Sequence, residues 1–129
     1  MKKIISVLTI LVLVLTFSAC SAYSSSYKAF ILVTNYTNKK AHMTFNSFEG
    51  RRVFKLKCKN EKELSYSLSL ETGEAKVYID NGEGKVELLS ISSGEEKSGS
   101  LNDIKSGTIY IIFETNGKCL NGLVDFKLL

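Results

Sequence analysis

The run ELSYSLSL, from Glu63 to Leu70, alternates without a break: Leu64, Tyr66, Leu68 and Leu70 share one parity, and Ser65, Ser67 and Ser69 share the other. Successive side chains of a β-strand point to opposite faces, so this run predicts a strand with one buried and one wet face. A strand of that kind belongs to an antiparallel sheet, whose other members must be found in the same chain.

They follow at short spacing. YKAFILVTNY (27–36) is apolar and ends in the turn TNKK, and AHMTFNSF (41–48) alternates weakly and stops at EG. RRVFKLKC (51–58) sets Phe54, Leu56 and Cys58 on one face, with Lys55, Lys57 and then Lys59 on the other. EAKVYID, GKVELLSIS, TIYIIFET and LVDFKLL complete the set, with turns at Thr72-Gly73, DNGEG and NGKCLNG. The polar stretch SGEEKSGSLNDIKSG (93–107) predicts a long loop with at most a short strand from Gly99 to Leu101. No segment carries a useful helical i, i+3, i+4 face, and the chain has no Pro or Trp. About eight short strands divided by turns predict an all-β fold, a single antiparallel β-sandwich over residues 27–129.

The N-terminus reads as a targeting segment over residues 1–19. Lys2 and Lys3 precede an uncharged 14-residue run, Ile4 to Phe17, and the small residues Ser18 and Ala19 follow. Crossing a bilayer takes about 20 apolar residues, so a cleaved signal peptide fits this run better than a transmembrane anchor. Phe17-Ser18-Ala19-Cys20 resembles the lipobox of bacterial lipoprotein signal peptides, with Phe17 where that family usually has Leu. The resemblance implies lipidation of Cys20, which cleavage would make the first residue of the mature chain. Two or three acyl chains anchor stably where one binds only marginally. Ser21 to Ser26 then reads as a Ser-rich tether, so that residues 20–26 join the lipid to the domain. The expected location is the extracytoplasmic face of the cell membrane, or the outer membrane of a cell that has one. Ordinary secretion is the alternative.

The segments KELSYSLSLETGEAKVYIDNGEGKVELLSISSG and SLNDIKSGTIYIIFETNGKCLNGLVDFKLL are similar to jelly-roll sandwiches of the bacterial pre-peptidase C-terminal type. The matching pieces are Gly107-Thr108-Ile109-Tyr110-Ile111 and Gly122 to Leu128. The resemblance implies a jelly-roll-like, non-catalytic fold and names no ligand.

Motifs for catalysis are missing. His42 is the one histidine, on the polar parity of a weak strand near Lys39 and Lys40, and it reads as a surface residue. No serine sits in a nucleophile elbow, and there is no phosphate loop, dinucleotide fingerprint or zinc-protease motif. DNGEG (80–84) offers Asp80, Asn81 and Glu83 as oxygen donors for a weak calcium site, but lacks the spacing of a calcium-binding loop. Asn-Gly is the strongest two-residue hairpin signal, and a plain turn accounts for the same residues. The chain is therefore expected to be no enzyme and to hold no metal or cofactor.

With Cys20 acylated, Cys58 and Cys119 remain as an even pair in an exported protein. They form either a disulfide or two separate thiols, and Cys58 has the inward parity that suits a buried thiol.

Charge is uneven along the chain. Loss of Lys2 and Lys3 with the leader leaves 15 basic residues against 13 acidic, a net +2. Residues 28–62 hold nine basic and two acidic residues, whereas residues 63–129 hold six and eleven. Arg51, Arg52, Lys55, Lys57 and Lys59 could contact an anionic surface such as phospholipid headgroups or a wall polymer. Lysines that guard an edge strand against aggregation would look the same. Nucleic acid is disfavoured by the acidic half and the export signal. Two functions remain: a membrane-anchored, non-catalytic binding or accessory module at the cell envelope, or a structural or inhibitor-like protein acting only through protein contacts.

Overall fold

The computed structural model describes residues 23–129, so the leader and the acylation expected at Cys20 lie outside the described residues. Nine strands follow in chain order: β1 Ser26–Phe30, β2 Val33–Tyr36, β3 Lys40–Cys58, β4 Glu63–Thr72, β5 Glu74–Asp80, β6 Lys85–Ser92, β7 Glu95–Asn102, β8 Gly107–Thr115 and β9 Cys119–Leu128. Every pairing is antiparallel.

β3 organises the molecule. Residues from Lys40 to Phe48 pair with β9, and residues from Arg51 to Cys58 pair with β8. The strand then returns to its own beginning, because the Lys57 amide donates to the Asn38 carbonyl at 2.8 Å. A hydrogen-bonded path β6-β5-β8-β3-β9-β4-β7 is thus folded over at β3 into two four-stranded leaves, β6-β5-β8-β3 and β3-β9-β4-β7. This is the strand order of a jelly-roll sandwich, with the two halves of β3 standing for two of its eight strands. The all-β sandwich expected from the alternating runs is the fold observed.

The fold-over has a local cause. Phe45 and Phe48 are both buried, with two residues between them where strict alternation allows one. The parity of the strand changes at Asn46, where the pairing with β9 lapses for one residue on each strand, Phe45 pairing with Gly122 before it and Ser47 with Leu120 after it. The cross-strand neighbours of Asn46, Ile31 and Asn121, both have φ 50°. Left-handed backbone on both flanking segments at this level accompanies the bend of β3. Gly50 completes the bend at φ 127°, and a Cβ there would lie 2.7 Å from the Tyr27 Cα of β1.

The core lies between the leaves. Leu64, Leu68 and Leu70 of β4 and Val124, Phe126 and Leu128 of β9 face Val77 and Ile79 of β5 and Ile109, Ile111 and Phe113 of β8. Phe113 bridges the leaves, 5.5 Å from the Phe48 ring and 6.2 Å from that of Phe45. Each such side chain contributes about 1.5–3 kcal/mol on burial.

Three expectations change. The apolar run 27–36 divides into β1 and β2 and lies outside the core, with Phe30 65%, Ile31 57% and Val33 58% exposed. It serves instead as the strap that closes the side of the sandwich along β3. Most of the stretch read as a loop is the edge strand β7, paired residue for residue with β4. Its inward positions hold Leu101, Gly99 and Lys97, and the Tyr66 ring of β4 fills the space above Gly99, so the strand carries no apolar alternation to be read. Finally, contacts begin at Tyr23 within the expected tether, four residues before Tyr27.

Candidate functional site

The outer face of the β6-β5-β8-β3 leaf carries the densest polar and aromatic arrangement. On β5 the inward Ala75, Val77 and Ile79 alternate with the outward Lys76, Tyr78 and Asp80. Register places Arg51, Glu114 and Lys76 in one row, Val53, Ile112 and Tyr78 in the next, and Lys55, Tyr110 and Asp80 in the third. Ile112 is fully buried although it stands outside the core cluster. Lys85 Nζ lies 4.3 Å above the Tyr78 ring, and Lys76 Nζ is 3.4 Å from Glu87 Oε1.

Where β5 begins and β6 and β8 end, this face opens into a groove of about 470 Å³. Its rim and floor present the Tyr78 ring, the Lys76 ammonium, the carboxylates of Glu74 and Glu114, the Ser90 and Ser92 hydroxyls and the Asn116 amide. Thr115 also lines it, though its hydroxyl is held by the Gly50 amide at 2.9 Å. Such a surface offers hydrogen bonds of both senses beside one aromatic plane, on strands that do not have to move. None of these groove residues was singled out in the sequence. The available signal was tyrosine on the polar parity, at Tyr78 in EAKVYID and at Tyr110 in TIYIIFET.

At the opposite end of the same face the chain entering the domain is tied down. The Tyr23 hydroxyl donates to Asp80 Oδ2 at 2.6 Å, and its ring lies 5.2 Å from that of Tyr110. The shared proton holds the Asp80 carboxyl below its ordinary range, with the Gly82 amide helping, and pushes the Tyr23 hydroxyl above its own. Asp80 Oδ1 accepts from the Gly82 and Gly84 amides at 2.9 and 3.2 Å. DNGEG is accordingly the hairpin turn between β5 and β6, with its first carboxylate occupied by backbone and tyrosine donors. No cluster of three metal-ligating side chains occurs among the described residues.

Of the five basic residues expected at an anionic surface, Arg51, Lys55 and Lys57 share the outer parity of β3, Arg52 has the inward parity and Lys59 lies past the strand. Arg51 Nε donates to the Ser24 carbonyl at 2.9 Å. Arg52 turns inward at the side of the sandwich, its guanidinium 5.0 Å from the Phe54 ring and 5.7 Å from the Tyr27 ring. It is half-buried against the β1–β2 strap, and its Nη1 donates to the Tyr27 hydroxyl at 3.1 Å. Lys55 and Lys57 face outward from β3 and are exposed, and Lys59 lies just past the strand in the following turn. Nor is this a bare edge strand guarded by lysines. The Val53 amide donates to Ser25 Oγ, the Lys55 amide to the Tyr36 hydroxyl and the Lys57 amide to the Asn38 carbonyl, so the strap covers the edge at every second residue.

Cys58 and Cys119 are buried free thiols. Cys119 pairs with Phe48, ten residues before Cys58 on β3, a separation of roughly 30 Å along the strand that no disulfide spans. Each thiol has its own acceptor, the Glu61 carbonyl for Cys58 and the Glu74 carbonyl for Cys119. Burial pushes the Cys119 thiol up. His42 lies half-exposed on the outer face of the other leaf, its Nδ1 3.1 Å from Asp125 Oδ1, in a row that continues to Ser67. Near the β3–β4 turn, Lys39 and the Lys59 amide hold the Glu61 carboxyl down at about 2.

No protein-family model matches the chain, and no curated protein does. The resemblance to pre-peptidase C-terminal domains therefore rests on strand and turn spacing alone. Among solved structures, the chain is similar to TmCBM61 in complex with β-1,4-galactotriose, at 18% identity over 76% of this chain and 69% of that one, with a TM-score of 0.46. A carbohydrate binding module of family 29 gives 18% identity over 84% and 76%, TM-score 0.39. The Drosophila melanogaster CENP-C cupin domain gives 16% identity over 75% of each chain, TM-score 0.35. Likeness at this level reaches neither ligand nor site, and the fold rests on the strand pairing described above.

Proposed function

We infer that this chain is a non-catalytic binding module that holds a hydroxyl-rich polymer, a glycan segment, in the groove at the head of β5, β6 and β8. The observation that supports this reading is the lining: a tyrosine ring flanked by Lys76, Glu74, Glu114, Ser90 and Asn116. Sugar rings present an apolar face and a rim of hydroxyls, which an aromatic plane with surrounding donors and acceptors complements. Charges of both signs alternate around the groove, which suits a neutral polar ligand better than a polyanion. Held by an acyl group on Cys20 at the outer face of the membrane, such a module would present the groove to envelope polymers. A second reading, a module working through protein contacts, draws on the exposed Phe30, Ile31 and Val33 of the strap.

Two experiments test this. Titration of the chain with soluble oligosaccharides, neutral and acidic, followed by tyrosine fluorescence, should show saturable binding of a neutral one. Tyr78→Ala should weaken that binding about tenfold, the value of one aromatic contact. No saturation with any oligosaccharide, no effect of Tyr78→Ala, or cleavage of the ligand would each overturn the reading. For the anchor, mass spectrometry of the mature N-terminus should find acylated Cys20, and Cys20→Ala should release the protein from membranes or block its processing. A Cys20→Ala chain that matures normally and stays bound would refute it.

A further inference from the structure

We propose that Tyr23 latches the mature N-terminus to the outer face of the β6-β5-β8-β3 leaf and so turns the end bearing Lys55, Lys57 and Lys85 toward an anionic phospholipid surface. This rests on the acylation of Cys20 proposed above, and adds to it an orientation and a lipid class.

Three consecutive residues are fixed on three different strands. Tyr23 bonds Asp80 of β5 and packs on Tyr110 of β8. Ser24 accepts from Arg51 Nε, and Ser25 Oγ accepts from the Val53 amide, both on β3 and both at 2.9 Å. Cys20 is three residues before Tyr23, so the connection reaches about 10 Å at full extension. An acyl group on Cys20 would hold Tyr110, Asp80 and the Asp80–Gly84 hairpin within that distance of the headgroups. A seven-residue tether free along its whole length would impose no such orientation.

What surrounds the latch is cationic. Lys55 stands opposite Tyr110, Lys57 opposite Thr108 and Lys85 opposite Asp80. All three are exposed, and none is in an ion pair among the described residues. The carboxylates nearby are mostly occupied: Asp80 by Tyr23 and the turn amides, Glu83 by Lys105 at 3.0 Å and Glu61 by Lys39 at 2.7 Å. The adjoining loop adds Lys59 and Lys62 against Asp103. A juxtamembrane lysine raises association with an anionic surface about fivefold, so three together discriminate strongly by lipid charge.

The arrangement also gives the groove a direction. β5 carries the latch at Asp80, and the groove runs along the same strand from Tyr78, two residues or about 7 Å from it, to Glu74, six residues or about 20 Å from it. With the latch at the bilayer, the groove opens at the far end, away from the membrane.

The test uses the acylated full chain in vesicles of phosphatidylcholine alone, or of phosphatidylcholine with phosphatidylglycerol. Each lysine is labelled with a water-soluble amine reagent and quantified by mass spectrometry. Labelling of Lys55, Lys57 and Lys85 should slow several-fold in the anionic vesicles and recover at high salt, while Lys76 and Lys118 stay unchanged. Tyr23→Ala should keep the chain on the vesicles and erase the difference. So should a flexible insertion between Ser21 and Ala22, which leaves every contact of the domain in place. Uniform labelling on anionic vesicles, or an unaltered pattern in both variants, overturns the latch while the anchor stands. A chain that carries no acyl group on Cys20 overturns both.

Discussion

Replacing Gly122 with alanine adds one methyl group where the sandwich has no room for it. Gly122 lies on β9 opposite Phe45 of β3, and a Cβ built there would sit 2.8 and 2.9 Å from Cε1 and Cε2 of the Phe45 ring. The ring must withdraw, but it is buried and packed against Phe48 at 5.3 Å and Phe113 at 6.2 Å. Overpacking of this kind costs about 1–3 kcal/mol. Alanine restricts the unfolded chain and returns about 0.4–1 kcal/mol, because the backbone at Gly122 is not in the left-handed region. The net loss is about 1–2 kcal/mol, or a fall in Tm of about 5–10 °C for a domain of this size. Urea unfolding followed by circular dichroism should show a lower midpoint at an unchanged slope. Phe45→Leu removes the obstructing ring edge, so the double variant should lose less than the two singles together, with a coupling of about 1 kcal/mol. A Gly122→Ala chain as stable as the parent, or strict additivity with Phe45→Leu, would refute the packing of β9 against the bend of β3.

Three further outcomes are expected. The Tyr23 latch should be closed at neutral pH and open at both extremes: Asp80 is depressed, so its contribution is lost as pH falls below the ordinary 3.8, and Tyr23 is raised, so its contribution is lost as pH climbs past the ordinary 10.0. Protease cleavage near Tyr23 should follow that profile, and Tyr23→Phe should flatten it. Cys58 and Cys119 should resist a thiol reagent until the domain unfolds and then both react, with no mobility change on reduction, since both are buried and unlinked. Arg52→Met should stay within about 1 kcal/mol of the parent, because it keeps the contact with Phe54 and removes an Nε that is buried without a partner, against the loss of one exposed hydrogen bond to the Tyr27 hydroxyl. Arg52→Ala, which empties the same space, should cost more.

What could be read in the sequence was the part of the fold that alternation governs alone. β4 and β5 alternate against a single core and stand where their patterns put them, and β8 is the buried apolar strand its composition implies, with Ile112 covered on its outer face as well. The pattern weakens at AHMTFNSF because β3 bends there: Phe45 and Phe48 are both inward, and the parity of the strand changes at Asn46. It misleads at YKAFILVTNY, whose apolar residues lie along the strap, since hydrophobicity says nothing of whether a strand is covered on both faces. It is silent at β7, where the packing is supplied by Tyr66 from the neighbouring strand and not by β7 itself. The groove is harder still to foresee. Lys76, Tyr78 and Glu114 come from two strands that are far apart in sequence and adjacent only through the β5–β8 pairing.

The charge asymmetry along the chain shows how far such pairing transforms a linear pattern. Residues 28–62 are strongly basic and residues 63–129 acidic, and a simple domain split would yield a positive and a negative lobe. The jelly roll prevents it, because β3, the most basic strand, runs through both leaves and pairs with the later, acidic half at each step. Arg51 meets Glu114, which meets Lys76; His42 meets Asp125; Lys55 lies across Tyr110 from Asp80. An asymmetry in sequence thus becomes an alternation across each face. The exception is the end around Lys55, Lys57 and Lys85, where the hairpin carboxylates are already held by Tyr23, Lys105 and backbone amides. Two chemistries therefore share one face, a balanced groove at the head of β5 and an uncompensated cationic end at its foot. A neutral polymer suits the first and an anionic bilayer the second, and the groove's mouth at Glu74, about 20 Å along β5 from Asp80, points away from a bilayer at the foot.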